Sequence, residues 1–223
     1  MLQNCRIVIT GAAGTLGQAT ARAASEKGAE VIGLDVVQTD TLDHVDQYHQ
    51  VDLLDRVTTA ECIASLGNFD GLINIAGGFA MGMEAAEPSD EQWAWMFKIN
   101  VQTLRNTVIA AVPVFKSQKR GKIVNIGALG ALSGGAAMSA YCCAKSSVMR
   151  LTESLSEELK SEGINVNAVL PSIIDTPPNR EAMPDADFAQ WVSPEKLAQV
   201  LCFLASEDAN AVHGALLPVK GLV

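Results

Sequence analysis

The sequence is poor in charged residues, and the basic ones are the scarcer kind. Charged residues make up 18% of the 223 residues, and 25 Asp and Glu against 16 Lys and Arg give a formal net charge of −9. A surface of that sign repels nucleic-acid phosphates and anionic membranes, so we expect neither as a partner. Hydrophobic residues, at 48%, exclude intrinsic disorder and predict one domain over residues 1–223 with a large core.

Residues that hold metal ions or form disulfides are few and scattered. The three histidines (His44, His49 and His213) are scattered, and the five cysteines have no metal-like spacing, so we expect no metal site. The longest run without charge, 123–144, is long enough for a membrane span but contains four glycines. Because the N-terminus also shows no charged leader or cleavage site, we expect a cytoplasmic, reducing location.

Short runs of β-branched residues alternate with longer segments of helical periodicity. Strands are predicted over 5–10, 30–35, 48–51, 71–76, 121–127, 164–170 and 215–219. Helices are predicted over 16–27, 55–66, 90–116, 141–162 and 194–206. This order predicts an α/β fold, a single doubly wound Rossmann-type domain with a parallel sheet of about seven strands. Residues 171–193, with four of the eight prolines, predict a long loop beside the substrate.

A glycine-rich turn, TGAAGTLG (10–17), follows the first strand. Its glycines let the backbone approach a pyrophosphate at the N-terminus of the next helix. Asp35 ends the second strand, 18 residues beyond Gly17. A carboxylate at this position can accept hydrogen bonds from both ribose hydroxyls of adenosine. The alternative is that Asp35 is a solvated acidic residue at the end of a strand. Asp52 follows the third strand, where a polar residue reaches the adenine edge. We therefore predict NAD(H) as cofactor rather than NADP(H), because Asp35 would repel a 2′-phosphate.

Tyr141 and Lys145 are four residues apart on a predicted helix and so share one face. An ammonium near a phenol favours phenolate and lowers a pKa that is ordinarily about 10. The pair follows the fifth strand, at the ligand-facing edge of the predicted sheet. This position favours a proton donor or acceptor over the alternative of two unrelated surface residues.

In this order and spacing, the motifs resemble the short-chain dehydrogenase/reductase family over nearly the whole chain. The matching parts are TGAAGTLG (10–17), Asp35, NIAG (74–77), Asn100 in KINVQT, IVNIG (123–127), YCCAK (141–145), INVNAVLP (164–171) and Thr176. The resemblance implies an oxidoreductase with a small-molecule substrate and a homodimeric or homotetrameric assembly.

The resemblance also implies a role for each matching residue. Tyr141 would be the acid/base, and Lys145 would bind the nicotinamide ribose and tune Tyr141. Asn100 would hold the water of a proton relay, Thr176 would contact the carboxamide, and 74–77 would stabilise the sheet beside the adenine ribose. The residues that it assigns to cofactor binding are Gly11, Ala13, Gly14, Thr15, Leu16, Gly17, Asp35, Asp52, Leu53, Asn74, Ala76, Gly77, Tyr141, Lys145, Pro171, Ile174 and Thr176.

The largest departure from the family pattern is Ala128, thirteen residues before Tyr141, where the family places a catalytic serine. The glycine spacing is also GxxGxxG rather than GxxxGxG, NIAG replaces NNAG, and Ser172 replaces a glycine. Dihydropteridine reductases likewise carry alanine at the serine position. Their loop motif DTPxNRxxMPxADFxxW is similar to 175–191 here, and their AGG-aromatic-A-x-G stretch is similar to 75–82.

Three functions remain open at this point. The first is an NADH-dependent reductase of the dihydropteridine reductase type, acting on a quinonoid dihydropterin or a similar ring. The second is an ordinary carbonyl or alcohol oxidoreductase that polarises its substrate in another way. The third is a dinucleotide-binding protein without catalysis, which the retained tyrosine–lysine pair counts against.

The helix predicted over 141–162 has a second small or apolar face beside its core stripe. Cys142, Ser146 and Met149 form this face. We expect it to pack against a partner subunit, with packing inside the domain as the alternative.

Overall fold

The computed structural model describes residues 1–39, 41–82, 84–86 and 89–223. Its strands are β1 (Arg6–Thr10), β2 (Glu30–Asp35), β3 (Gln47–Gln50), β4 (Gly71–Asn74), β5 (Gly121–Ile126), β6 (Ile164–Pro171) and β7 (Leu216–Val219). Its α-helices are α1 (Thr15–Glu26), α2 (Arg56–Ser65), α3 (Asp90–Phe97), α4 (Thr103–Gln118), α5 (Ser139–Leu159), α6 (Pro177–Ala182) and α7 (Pro194–Leu204). The predicted α/β class is confirmed.

All neighbouring strands pair in parallel, in the order β3-β2-β1-β4-β5-β6-β7. The chain starts in the middle of the sheet, runs to one edge, and then crosses to β4 and runs to the other. The doubly wound topology and the seven-stranded parallel sheet are therefore confirmed. Where the order reverses, between β1 and β4, the connections leave the carboxyl ends of the strands in opposite directions and open a crevice.

The core lies in two layers, one on each face of the sheet, because successive strand residues point to opposite faces. Ile7 and Ile9 of β1 pack with residues of α1 and α7, whereas Val8 packs with residues of α2, α4 and α5. Both faces of the sheet are thus buried, which explains why the strands are nearly continuous runs of β-branched residues.

Two segments differ from their predicted structure. The predicted helix 90–116 is divided into α3 and α4 by a π-helical turn, Lys98–Gln102. The predicted loop 171–193 contains the short helix α6, which begins where the Thr176 side chain accepts from the Asn179 N–H at 3.4 Å. Prolines that indicated a loop here occupy the first turn of that helix, where a missing N–H costs nothing.

The second face of α5 does not lie open to a partner. Cys142 and Met149 are buried in an apolar cluster of the same domain, and the Ser146 hydroxyl donates to the Ala131 carbonyl at 2.7 Å. The prediction that this face packs against a second subunit is wrong, because the short 3₁₀ turn after β5, Leu129–Leu132, covers it.

Three findings concern membranes, metals and thiols. None of the described helices combines the length and apolar character that crossing a bilayer requires. Over the same residues, no group of three or more His, Cys, Asp or Glu side chains is placed to hold a metal ion. All five cysteines are free.

Candidate active site

The crevice at the carboxyl ends of β1, β2 and β4 is a cavity of about 470 Å³. Twelve of the residues predicted to bind the cofactor line it: Gly11, Ala13, Gly14, Thr15, Leu16, Gly17, Asp35, Asp52, Leu53, Ala76, Gly77 and Thr176. They come from five separate parts of the chain and meet because parallel strands end at one edge of the sheet.

The turn between β1 and α1 requires glycine at two positions. Gly11 has φ +67°, and a Cβ there would lie 2.9 Å from the Ala76 nitrogen. A Cβ at Gly17 would lie 2.1 Å from the Gly11 oxygen, so only glycine lets α1 approach the turn this closely. No side chain caps the start of α1. Its first N–H groups can therefore bind an anion, and a dinucleotide pyrophosphate fits this turn.

Asp35 is docked on the same turn. One carboxylate oxygen accepts from the Ala13 N–H at 2.9 Å, and the other accepts from the Val37 N–H at 3.2 Å. These bonds hold the carboxylate at the cavity wall and leave it lone pairs that can accept hydrogen bonds from ribose hydroxyls.

Asp52 and Leu53 form the far side of the cavity. The Asp52 carboxylate accepts from the Leu54 N–H at 2.9 Å, which closes a tight turn after β3. The Asn106 amide of α4 donates to the Leu53 carbonyl at 2.8 Å and fixes this turn against the helix. The end of the cavity that we predict to hold adenine is thus preformed.

Tyr141 and Lys145 lie in the first turns of α5, beside the cavity rather than in its wall. Lys145 is 6% exposed, and its Nζ donates to the carbonyl of Ile126, the last residue of β5, at 2.9 Å. The Phe79 ring meets the Tyr141 ring edge to face, with centroids 4.8 Å apart. This corner holds a covered phenol and a buried amine close to the end of one strand.

Burial sets the pKa values of both groups. It raises the pKa of the Tyr141 phenol to about 12, with a smaller contribution from Cys142, and lowers the pKa of the Lys145 amine to about 8. The shift of the Tyr141 pKa is thus opposite to the direction predicted from a neighbouring ammonium, because removing the phenol from water disfavours phenolate. Tyr141 is therefore protonated at neutral pH and can act as a proton donor.

Asn100 lies in the π-helical turn and clamps the chain that follows β4. Its side-chain oxygen accepts from the Gly78 N–H at 3.1 Å, and its amide donates to the Gly78 and Met96 carbonyls at 3.0 and 3.1 Å. A Cβ at Gly77 would lie 2.8 Å from the Asn100 oxygen and 3.4 Å from the Lys145 Nζ. Asn100 and Lys145 thus both lie next to Gly77. The predicted role of Asn100 in holding a water molecule stays a prediction.

Besides Tyr141 and Lys145, three residues assigned to cofactor binding lie outside the cavity wall. Asn74 is buried in the sheet, where its amide donates to the Asn125 side chain at 2.9 Å and its oxygen accepts from Thr107 at 2.8 Å. Pro171 ends β6, and Ile174 forms a bridge with Val192. Their assignment to cofactor binding stays a prediction. The predicted stabilising role of Asn74 agrees with its bonds.

Ala128 lies in an apolar wall beside Tyr141. It is 5% exposed and packs in a cluster with Ala131, Met149 and Leu170, against which Tyr141 also packs. The place of the family's serine is therefore occupied by methyl and methylene groups.

Sequence reasoning missed two contacts at this site. Phe79 covers Tyr141 from the loop after β4, and Pro178 of α6 lines the cofactor cavity beside Thr176. The motif that contains Phe79 was found through its resemblance, but no local pattern shows that its ring reaches a residue 62 positions further on.

A family model described as short chain dehydrogenase matches residues 6–187. The chain belongs to this family. Members of the family bind NAD(P)(H) and oxidise or reduce small molecules. This short-chain dehydrogenase is therefore an oxidoreductase. The crystal structure of gox2181 superposes with a TM-score of 0.92 at 26% identity, covering 99% of this chain and 95% of that one.

Relatives of this short-chain dehydrogenase come from fungi and bacteria. The short-chain dehydrogenase/reductase cdmF of Talaromyces verruculosus is 32% identical, over 98% of this chain and 96% of its own. The 3-oxoacyl-[acyl-carrier-protein] reductase FabG of Thermotoga maritima is 28% identical, over 96% and 94%. A putative 2-deoxy-D-gluconate 3-dehydrogenase from Agrobacterium tumefaciens, with bound NADP, has a TM-score of 0.88 at 32% identity and coverage of 99% and 96%. The resemblance to dihydropteridine reductases rests on Ala128 and on the motifs within 75–82 and 175–191.

Proposed function

We propose that this protein is an NADH-dependent reductase of a small, electron-deficient ring, of which a quinonoid dihydropterin is the type. The observation that carries the proposal is Ala128 in its apolar wall. A ketone develops charge on one oxygen and depends on a nearby donor, whose loss typically costs about 10²–10³ in turnover. A quinonoid ring spreads that charge over the heterocycle and has less need of a donor. The motifs of 75–82 and 175–191 support the same substrate class.

In this proposal the chain's own residues have the following roles. Bound NADH supplies the hydride. The glycine turn and Asp35 hold the adenosine and pyrophosphate end, and Thr176 closes the opposite side of the cavity. Tyr141, protonated at neutral pH, delivers the proton that completes a two-electron reduction. Lys145 stabilises the phenolate that this transfer leaves behind.

The preference for NADH rests on Asp35. A 2′-phosphate would lie beside a carboxylate already fixed by Ala13 and Val37. Two unit charges about 4 Å apart repel by roughly 4 kcal/mol at an effective dielectric near 20. We expect Asp35→Asn to lower the ratio of kcat/KM for NADH to kcat/KM for NADPH, since it removes the negative charge of the side chain but keeps its size and shape. Equal efficiency with both cofactors in the wild type would refute the preference.

A carbonyl or alcohol oxidoreductase is the second candidate. The named activity of the Thermotoga maritima relative favours it. Ser139, two residues before Tyr141, lines a small cavity beside that corner together with Met138 and offers an alternative hydroxyl. A purely regulatory, non-catalytic protein is disfavoured, because such a protein has little use for a buried lysine beside a protonated tyrosine.

The test is the ratio of ketone to quinonoid efficiency with NADH. Wild-type protein, Ala128→Ser and the matched control Ala131→Ser, which lies in the same cluster, are assayed against a quinonoid dihydropterin and several ketones. We expect the wild type to favour the ring and Ala128→Ser alone to raise the ratio, because its hydroxyl lies where carbonyl charge develops. An efficient wild-type ketone reductase whose ratio does not respond to Ala128→Ser would establish the second candidate instead.

The assembly and the location complete the proposal. A homodimer or homotetramer follows from the family resemblance, and light scattering at micromolar concentration tests it, with a monomeric mass as the contradicting result. A cytoplasmic location follows from five free cysteines, which suit a reducing compartment.

A further inference from the structure

Residues 171–193 form a lid whose two ends are fastened together. Ile174 and Val192 form a parallel bridge, the Asp175 N–H donates to the Val192 carbonyl at 2.8 Å, and the Val192 N–H donates to the Ile173 carbonyl at 2.9 Å. The end of the chain supports the same stem, since the Leu222 N–H donates to the Gln190 carbonyl at 2.9 Å. The lid is therefore a closed loop on a fixed base.

An ion pair folds the lid onto itself. Arg180 of α6 donates through Nε and Nη2 to the two carboxylate oxygens of Asp175, at 2.5 and 2.7 Å. The same guanidinium lies 4.8 Å above the Phe188 ring, which packs on Trp191 with centroids 4.8 Å apart. Trp191 is buried at the base of the lid. We call the four residues Asp175, Arg180, Phe188 and Trp191 the lid stack.

The ion pair spans the part of the lid that reaches the cofactor cavity. Thr176 and Pro178, the two lid residues in the cavity wall, lie between Asp175 and Arg180 in the chain. Asn179 reinforces the same span, because its side-chain amide donates to the Ile174 carbonyl at 2.8 Å. The bidentate pair thus fixes both ends of the short segment that presents Thr176 to the cavity.

We propose that Arg180 is a positioning residue for the cofactor: by closing the lid stack it holds Thr176 and Pro178 in their binding positions before the cofactor arrives. A loop ordered in advance loses less conformational entropy on binding, so the affinity is higher. Lysine cannot reproduce this arrangement, since it lacks the planar fork that engages both carboxylate oxygens and stacks on an aromatic ring. The proposal depends on cofactor binding at the cavity and not on the nature of the reduced substrate.

Cofactor affinity is the first measurement. NADH and NADPH are each titrated by their fluorescence against the wild type, Asp175→Asn, Arg180→Lys, Arg180→Ala and the double variant Asp175→Asn/Arg180→Ala. Arg120→Ala is the matched control, because it breaks an exposed ion pair with Asp70 at the opposite end of the sheet. We expect Kd to rise by up to about fivefold in each lid variant, in line with the strength of a partly exposed ion pair. We expect the double variant to match Arg180→Ala, because both remove one interaction.

Limited proteolysis is the second measurement, and it needs no substrate. Trypsin cleaves after Arg180 only when the lid opens, so Asp175→Asn, which keeps Arg180, should be cut there faster than the wild type. Saturating cofactor should protect the wild type. In steady-state assays, KM for the cofactor should rise more than kcat falls.

Two results would overturn the proposal. Faster cleavage after Arg180 with an unchanged Kd would show that lid order does not serve the cofactor. An unchanged cleavage rate in Asp175→Asn would show that the ion pair does not hold the lid. Failure of the ring-substrate assay would leave both measurements intact, so the two proposals fail separately.

Discussion

Two buried lysines lie by opposite ends of β5, and their surroundings differ. Lys122 belongs to the strand itself, whereas Lys145 belongs to α5 and contacts the strand's last residue. Lys122, near the amino end, is 5% exposed, and its Nζ donates to the side-chain oxygens of Asn165, at 2.8 Å, and Asn210. The Glu207 carboxylate lies 3.9 Å from the same nitrogen. Lys145, at the carboxyl end, is 6% exposed, and among the described residues its Nζ donates one hydrogen bond, to the Ile126 carbonyl.

The difference separates a structural lysine from the one that we propose to be catalytic. Burial lowers the pKa of both amines, but Glu207 partly offsets the effect at Lys122, whereas Lys145 has no such compensation and its pKa falls to about 8. An ammonium ion offers three donors, so Lys145 retains donors for a ribose hydroxyl. Lys145 has fewer hydrogen-bond partners within the protein than Lys122, and we expect a bound ligand to provide the remaining acceptors.

Replacing each lysine by methionine should produce opposite outcomes, and the loss of activity is the largest effect expected. Lys145→Met should lower turnover by roughly 10²–10⁴, because it removes the charge that stabilises the phenolate of Tyr141. Lys122→Met should leave kcat within about a factor of two, since it lies at the other end of the sheet. Steady-state assays with circular dichroism as a folding check measure this; a large loss of kcat in Lys122→Met would break the comparison.

Tyr141→Phe sharpens the same contrast. Removing the proton donor should lower turnover by about 10²–10⁴ as well, but NADH affinity should survive, because the hydroxyl is not required to hold the cofactor. Lys145→Met should weaken NADH binding in addition. Fluorescence titration distinguishes the two variants, and wild-type turnover in Tyr141→Phe would discard the assignment of Tyr141.

Stability should respond in the reverse order. Lys122→Met removes the donor from the side-chain oxygens of the buried Asn165 and the exposed Asn210, which should lower the free energy of unfolding by about 1–3 kcal/mol. Denaturant titration at constant m-value measures the change. Asn210→Ala is the companion variant, since it should lose part of the same energy without touching the lysine. A Lys122→Met protein as stable as the wild type would show that this network contributes nothing.

The pH dependence of reduction tests the unusual pKa of Lys145. Below about pH 8 the amine is charged, and above it the neutral amine no longer stabilises phenolate. We therefore expect kcat/KM to fall with a limiting slope of about tenfold per pH unit above that value. Tyr141 imposes no loss in this range, because its phenol stays protonated to about pH 12. A profile that is flat to pH 10 would contradict the assignment.

The smallest expected effect concerns the cover over Tyr141. Phe79→Leu should let water reach the phenol and lower the pKa of Tyr141 by less than about one unit, since an aromatic pair contributes about 0.5–1.5 kcal/mol. The absorbance of phenolate reports it, with Tyr141→Phe as the blank for Tyr48, the second of the two tyrosines. An increase in the pKa would show that Phe79 does not exclude water.

The fold and most of the cofactor cavity could be predicted because their signals are local. The alternation of β-branched runs with helical periodicity specified a covered parallel sheet, and glycines directly after β1 specified a close approach of backbone to ligand. Asp35 and Asp52 follow strands of that sheet, so the topology alone brings them to one edge.

The pKa values and the form of the lid could not be predicted, because they depend on contacts between distant residues. Spacing places Lys145 beside Tyr141, but only tertiary packing shows that both side chains are buried and that burial determines their pKa values. Helix α6 is too short for a periodic signal and depends on Asp175, Phe188 and the end of the chain. The buried bonds of Asn74 with Asn125 and Thr107 depend on distant residues in the same way.

The π-helical turn at Lys98–Gln102 has a consequence for how the length of this helix can vary. Such a turn accommodates one residue more than an α-helical path between the same end points. Deleting one residue there would restore a regular helix, but it would rotate the preceding residues by about 100° about the axis relative to those that follow. Asn100 could then no longer face Gly78 while Thr107 still faces Asn74. A one-residue deletion in this turn should therefore be less well tolerated than a substitution at any exposed position within it.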